Sequence, residues 1–120
     1  MRETKSTNPE LLGLISFLKK QAREKQAPVW LDVAENLSKP SRQRVVVNLS
    51  AINRNTKRAD VVVVPGKVLG MGRLGHALTV AAFDVSEAAL GKLKVARAKV
   101  LTIPELVEKN PQGSNVKIMK

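Results

Sequence analysis

Val61-Val62-Val63-Val64-Pro65-Gly66 is the stretch on which the fold turns. Four consecutive β-branched residues favour extended backbone, and an unbroken apolar run reads as a buried strand, which Pro65-Gly66 is expected to end. Working backward, Val45, Val47 and Leu49 alternate with Arg44, Asn48 and Ser50, the period-two pattern of a half-buried strand whose polar face is basic. Asn53-Arg54-Asn55-Thr56-Lys57-Arg58 between the two reads as a polar turn or connection. Working forward, Leu78 to Phe83 forms a third strand, Ser86 caps a helix through Ala88, Ala89 and Leu93, and Lys99 to Leu101 gives a further short strand. Thr102-Ile103-Pro104-Glu105 has the spacing of a capping box, so a helix through Val107 follows and Asn110-Pro111 stops it. Val116 to Met119 alternates as a last strand.

On the N-terminal side of Lys39-Pro40 the period is helical. Asn8-Pro9 opens a helix with Leu11, Leu14, Ile15, Leu18 and Ala22 on one stripe and Lys19, Lys20, Arg23 and Lys25 toward the other side. Gly13 within it suggests a close backbone neighbour. After Pro28, the residues Trp30, Val33, Ala34 and Leu37 repeat the period in a shorter helix. The expectation is one α/β domain over residues 1–120, with a helical part at 1–38 and an α/β core at 39–120.

The chain has 120 residues and carries 21 Lys+Arg against 10 Asp+Glu, a formal charge of +11 with a pI near 10.5. At 43% hydrophobic it is too apolar for a disordered basic tail. A positive field of this size attracts polyanions, meaning nucleic acid or an acidic membrane face. There is no Cys, so disulfides, thiolate metal sites and Cys nucleophiles are excluded. The N-terminal residues lack an apolar run behind their charges, and no stretch approaches the length of a membrane span. A cytoplasmic protein, neither exported nor membrane-spanning, is expected.

Gly70-Met71-Gly72-Arg73-Leu74-Gly75 is a literal G-x-G-x-x-G. A dinucleotide site needs a helix opening at those glycines and an acidic residue about 20 positions on. Here the next segment reads as a strand, and residues 88–104 contain neither Asp nor Glu. Gly66-Lys67 does not make a Walker loop either, because Val68 stands where a hydroxyl must bind metal. The glycines read as tight turns between strands that could let the backbone approach a phosphate chain. His76, the only histidine, reads as a loop residue that is exposed or hydrogen-bonded, and Asp60, Asp84 and Glu87 fit caps and turns. No catalytic set, metal site or cofactor site emerges.

The charge is concentrated. Residues 39–73 hold eight basic groups, Lys39, Arg42, Arg44, Arg54, Lys57, Arg58, Lys67 and Arg73, against one acid, Asp60. A surface shaped only for solubility mixes its signs. These eight, with Gly70, Gly72 and Gly75 admitting the backbone, are the expected RNA-binding residues. Lys92, Lys94, Arg97 and Lys99 form a second cluster that helical spacing would scatter around the axis. Phe17, Trp30 and Phe83 are the only aromatics, two of them explained by helix cores, which leaves little for stacking unpaired bases. Backbone and shape recognition of folded RNA is favoured.

Lys39-Pro40-Ser41-Arg42-Gln43-Arg44, Val47 through Arg54, Val61 through Gly70, Val80-Ala81-Ala82-Phe83 and Leu106 through Gly113 resemble the archaeal and eukaryotic family of large-subunit ribosomal protein eighteen-e. The resemblance spans essentially the whole chain, and the lack of a long extension at either end fits the archaeal form. It implies a fold shared with large-subunit ribosomal protein fifteen, an irregular superhelix of strand-strand-helix turns preceded by two helices. It also implies a structural constituent of the large ribosomal subunit, bound to its rRNA and beside neighbouring ribosomal proteins, monomeric within the ribosome and without catalysis or cofactor. Two other readings stand beside it: a nucleotide-dependent enzyme using the glycine loop at 66–75, and a general nucleic-acid or chromatin-binding protein.

Overall fold

The computed structural model describes residues 9–40 and 43–120; the expected helix cap Asn8 and the expected RNA contact Arg42 lie outside them. Helices α1 (Pro9–Glu24) and α2 (Pro28–Leu37) lead into β1 (Val45–Asn48), α3 (Leu49–Asn55), β2 (Val61–Leu69) and β3 (Thr79–Val85). Then come α4 (Glu87–Val95), β4 (Lys99–Thr102), α5 (Ile103–Lys109) and β5 (Val116–Ile118). The fold class is the expected α/β one, with two helices ahead of the strands.

All strand pairings are parallel, in the order β1-β2-β3-β4, with β5 added to β2. The tetravaline run lies in the central strand. Val63, with Ala81 of β3, faces a core built by α1, α2 and α5, whereas Val62, Val64, Val68, Val80 and Ala82 face a second core with Leu49, Ile52, Ala89 and Leu93 of α3 and α4. Burial on both faces explains why the run is continuously apolar instead of alternating.

Pro65-Gly66 does not end this strand, contrary to the sequence expectation. One edge of β2 is paired with β3, from Val61↔Thr79 to Val68↔Val85. The other edge is divided: β5 pairs with Val61 to Val63, and β1 with Gly66 to Leu69. Pro65, which has no N–H to donate, occupies the joint between the two partners, where the ladder to β3 also shifts register between Val64 and Lys67. Gly66 follows because β1 comes so close. A Cβ built on Gly66 would overlap the carbonyl of Val45.

Local signals set the helices. Ser86 Oγ accepts a hydrogen bond from the Ala89 amide, and the Thr102–Glu105 capping box is complete. The stripe read in α1 is buried through Leu11, Ile15 and Leu18, and in α2 Trp30, Val33, Ala34 and Leu37 are buried. Trp30 Nε1 donates to the carbonyl of Pro111 at 2.8 Å, which fastens the segment before β5 to α2. Two expectations fail. Gly13 is exposed with open space where a Cβ would be, so no backbone neighbour explains it. Residues 49–55 are helical; the alternation Val45, Val47, Leu49 runs across the strand end, and Leu49 and Ile52, three apart, are the buried face of a helix that apart from Ala51 is otherwise polar.

Gly66→Ala should place a methyl against the β1 carbonyl and destabilise the protein by roughly 3 kcal/mol, the upper range for overpacking. A urea midpoint equal to that of the wild type would show that the edge tolerates a side chain.

Candidate nucleic-acid interface

Adjacent parallel strands must be joined by a chain that returns the length of the strand, a task usually given to a helix. Between β2 and β3 the return is made by residues 70–78 alone, the segment holding the glycine motif. It is seated on protein. Gly70 lies against Ala88 and Ala89 at the start of α4, closely enough that a Cβ would stand 2.8 Å from the Ala89 nitrogen. Gly72 adopts φ +95° against Ser50, in the first turn of α3, where a side chain would meet both strain and backbone.

The loop's polar groups are also used internally. Lys92 Nζ donates to the carbonyls of Gly70 at 2.6 Å and Gly72 at 2.9 Å, the Ser50 amide donates to the carbonyl of Met71, and the Gly75 amide donates to Asn53 Oδ1. No helix opens at the glycines; the next one begins at Glu87. The motif is a crossover strapped to α3 and α4, and the backbone amide of Gly75 is turned toward Asn53.

A second strap lies just before β2. The Lys57 amide donates to Asp60 Oδ2 at 2.8 Å, the Asp60 amide returns to the Lys57 carbonyl at 3.1 Å, and Ala59 takes φ 70° to close the turn. Lys117 of β5 meets the same Asp60 Oδ2 at 3.2 Å. The Lys57 amide, and then Lys117, hold the Asp60 carboxyl below the usual carboxylate range. Capping-box donors, the Thr102 amide first, do the same for Glu105. The turn holds Arg58 at its exposed tip.

His76 is fixed by its neighbours. Thr56 Oγ1 gives its hydrogen to the Ile52 carbonyl at 2.6 Å, so at 2.8 Å it can only accept from His76 Nε2–H. In the neutral ring this leaves Nδ1 as the acceptor.

The expected RNA-binding residues therefore divide. Arg54 at the end of α3, Lys57 and Arg58 in the turn, and Arg73 and Gly75 in the crossover lie beside α3, and all are exposed. Arg54, Arg58 and Arg73 form no ion pair among the described residues. Arg44 lies elsewhere, over the Phe83 ring at 5.8 Å, with its Nε donating to the Lys39 carbonyl at 3.1 Å. Lys39 Nζ reaches Asn36 Oδ1, and Lys67 pairs with Asp84, its register neighbour on β3, at 3.8 Å. Gly70 and Gly72 are accounted for by packing.

Arg97, expected within the scattered second cluster, instead stands with Arg58 on the α3 side. Helix α4 ends with the Arg97 amide bonded to the Lys94 carbonyl and the Ala98 amide bonded to the Leu93 carbonyl, with Arg97 at φ 61°. This is a Schellman motif with arginine where glycine is usual, at a cost of about 1 kcal/mol. Only the strand register brings Arg97 beside Arg58, which no local pattern reveals. Among the described residues no group of His, Asp or Glu is arranged to hold a metal ion, and no helix is long and apolar enough to cross a membrane.

Among the described residues, guanidinium groups without ion-pair partners stand on loops strapped to the sheet, an arrangement suited to a scaffold that meets a polyanion. Comparison with known proteins gives the particular family. The family described as ribosomal protein 60S L18 and 50S L18e matches residues 1–120. The large ribosomal subunit protein eL18 of Methanococcus maripaludis is 47% identical over 119 residues, covering 99% of each chain. That of Pyrobaculum aerophilum is 50% identical over 116 residues, covering 97% of this chain and 95% of the relative. That of Methanothermobacter thermautotrophicus is 42% identical over 120 residues, all of this chain and 99% of the relative. The chain belongs to the eL18 family.

In Asp60→Asn the turn keeps an acceptor but loses the charge that Lys117 meets. Because the folded state depresses this carboxyl, its contribution is present above the usual carboxylate range and is lost as pH falls through the lower folded value. The melting temperature of the variant should therefore lie below that of the wild type at neutral pH and converge with it in acid, whereas a constant gap would assign the effect to packing. Lys92→Ala should cost about 1 kcal/mol and speed proteolysis within residues 70–75; an unchanged cleavage rate would show that the glycine packing alone holds the crossover.

Proposed function

We propose that this protein is a structural constituent of the large ribosomal subunit, in the cytoplasm, and that it stabilises folded large-subunit rRNA through phosphate contacts. Membership of the eL18 family supports the subunit assignment. The observation that carries the RNA contact is the set of exposed arginines, Arg54, Arg58 and Arg73, which have no acidic partner among the described residues and are borne on segments strapped to the sheet. Guanidinium is planar and weakly hydrated, which suits phosphate oxygens. Neighbouring proteins of the subunit are the further partners this reading implies. The protein supplies shape and charge and no chemical step.

Replacing Arg54, Arg58 and Arg73 together with Gln should leave the melting temperature unchanged, since none is paired within the described fold. Affinity for large-subunit rRNA should fall. Each lost phosphate contact removes about 0.7 to 0.9 from the slope of log affinity against log salt, so the triple variant should be shallower by about 2 to 3. Filter binding over a salt series measures this. An unchanged slope would remove these three residues from the interface, and wild-type protein that fails both to bind this rRNA and to sediment with large subunits would overturn the function itself.

A further inference from the structure

The parallel register places Val61, Thr79 and Lys99 side by side at the start of β2, β3 and β4. The segments leading into those strands are consequently adjacent, and they enclose an open cleft of about 440 Å³. Its walls include Arg58 before β2, Leu74, His76 and Ala77 before β3, and Val95 and Arg97 before β4. This volume lies within the roughly 300–1,000 Å³ of small-ligand sites.

The chemistry of the walls is of two kinds. Arg58 and Arg97 are exposed and form no ion pair among the described residues, and no carboxylate lines the cleft. Beside them lies an apolar floor from Leu74 and Ala77 with Val95 at its rim, and Val95, at 86%, is the most exposed large apolar side chain among the described residues. A site for phosphate alone has no use for that floor. A nucleotide presents both a flat apolar face and an anionic backbone, and guanidinium planes and imidazole rings accept stacked bases as aromatics do. His76 adds an oriented acceptor: with Nε2–H held by Thr56, its Nδ1 is able to receive a ribose 2′-hydroxyl or an exocyclic amine. Arg97 is kept in left-handed backbone at a helix end where glycine would be easier, so folding does not explain the choice of residue.

We propose that this cleft takes one extruded nucleotide of the rRNA, its base laid on Leu74, Ala77 and Val95 and its flanking phosphates held by Arg58 and Arg97. The inference rests on the reading of the chain as an rRNA-binding protein. It adds a base-sized seat to what the sequence presents as a backbone-contacting surface.

Two substitutions separate the alternatives. Arg97→Gly suits the helix end, so the melting temperature should hold or rise while affinity for large-subunit rRNA falls about tenfold. Val95→Lys adds a cation but removes the apolar rim; a nucleotide seat predicts weaker binding, and a phosphate clamp predicts equal or tighter binding, which would overturn the proposal. A photo-crosslinking residue at position 95, in assembled large subunits, should label a single rRNA nucleotide. Crosslinking to a neighbouring protein would assign the cleft to that protein instead and overturn the proposal. If both variants bind as tightly as a wild type that itself binds rRNA, the cleft falls and the ribosomal function stands. If the wild type does not bind, both fall together.

Discussion

The divided edge of β2 is the constraint from which the rest of the architecture follows. Two strands, β5 and β1, lie end to end along one side of a single nine-residue strand, meeting at Pro65-Gly66. A proline in a central strand normally forfeits a ladder bond. Here the sheet has no bond to make at that point, because one partner has ended and the other has not begun. The adjoining glycine admits the incoming chain, and the bulge against β3 absorbs the extra residue. Had the strand stopped at Pro65, β1 and its helix α3 would have had no edge to join.

Parallel order has a second consequence, because every connection must run back along the sheet. Between β3 and β4 the return is α4, and between β2 and β3 it is the glycine-bearing crossover. A crossover without a helix cannot satisfy its own backbone, so it borrows partners: Lys92 and the α3 amide of Ser50 for its carbonyls, Asn53 for the Gly75 amide. The glycines serve this close seating. In a dinucleotide site the corresponding glycines free a helix N-terminus for a pyrophosphate; here the neighbouring helices press on the loop and Lys92, from the last turn of α4, occupies its carbonyls.

Elements governed by nearby residues were legible in sequence. The stripes of α1 and α2, the Ser86 cap and the Thr102–Glu105 box each depend on contacts within a few positions, and each formed as read. What escaped depended on distant partners. Pro65-Gly66 reads as a stop unless β5 and β1 are known to meet there, and the seven residues of α3 carry too few apolar positions to declare a period before packing on the sheet. For the candidate interface, composition located the charge, but register decided its grouping. Arg44 is drawn to Phe83 and Lys67 to Asp84, whereas Arg97, 39 positions from Arg58 in sequence, is its neighbour across the cleft.

Lysine and arginine are used differently in the resulting structure. Among the described residues, the ion pairs Lys20–Glu24, Lys67–Asp84, Lys117–Asp60 and Lys120–Asp32 use lysine, and Lys92 closes the crossover. A flexible ammonium can adapt to a carboxylate or carbonyl wherever the fold places one, and at exposed positions such pairs add little stability. Arg54, Arg58, Arg73 and Arg97 remain outward, without acidic partners among the described residues. Unpaired like charges repel across one face, a cost that a phosphate-rich partner of the kind proposed would remove. Their anchoring supports the same conclusion: two of them sit in turns closed by left-handed non-glycine residues, Ala59 beside Arg58 and Arg97 itself. The turns fix where the Cα atoms of Arg58 and Arg97 stand while their side chains stay exposed, so in the proposed RNA complex the ordering cost of association would fall mainly on the side chains.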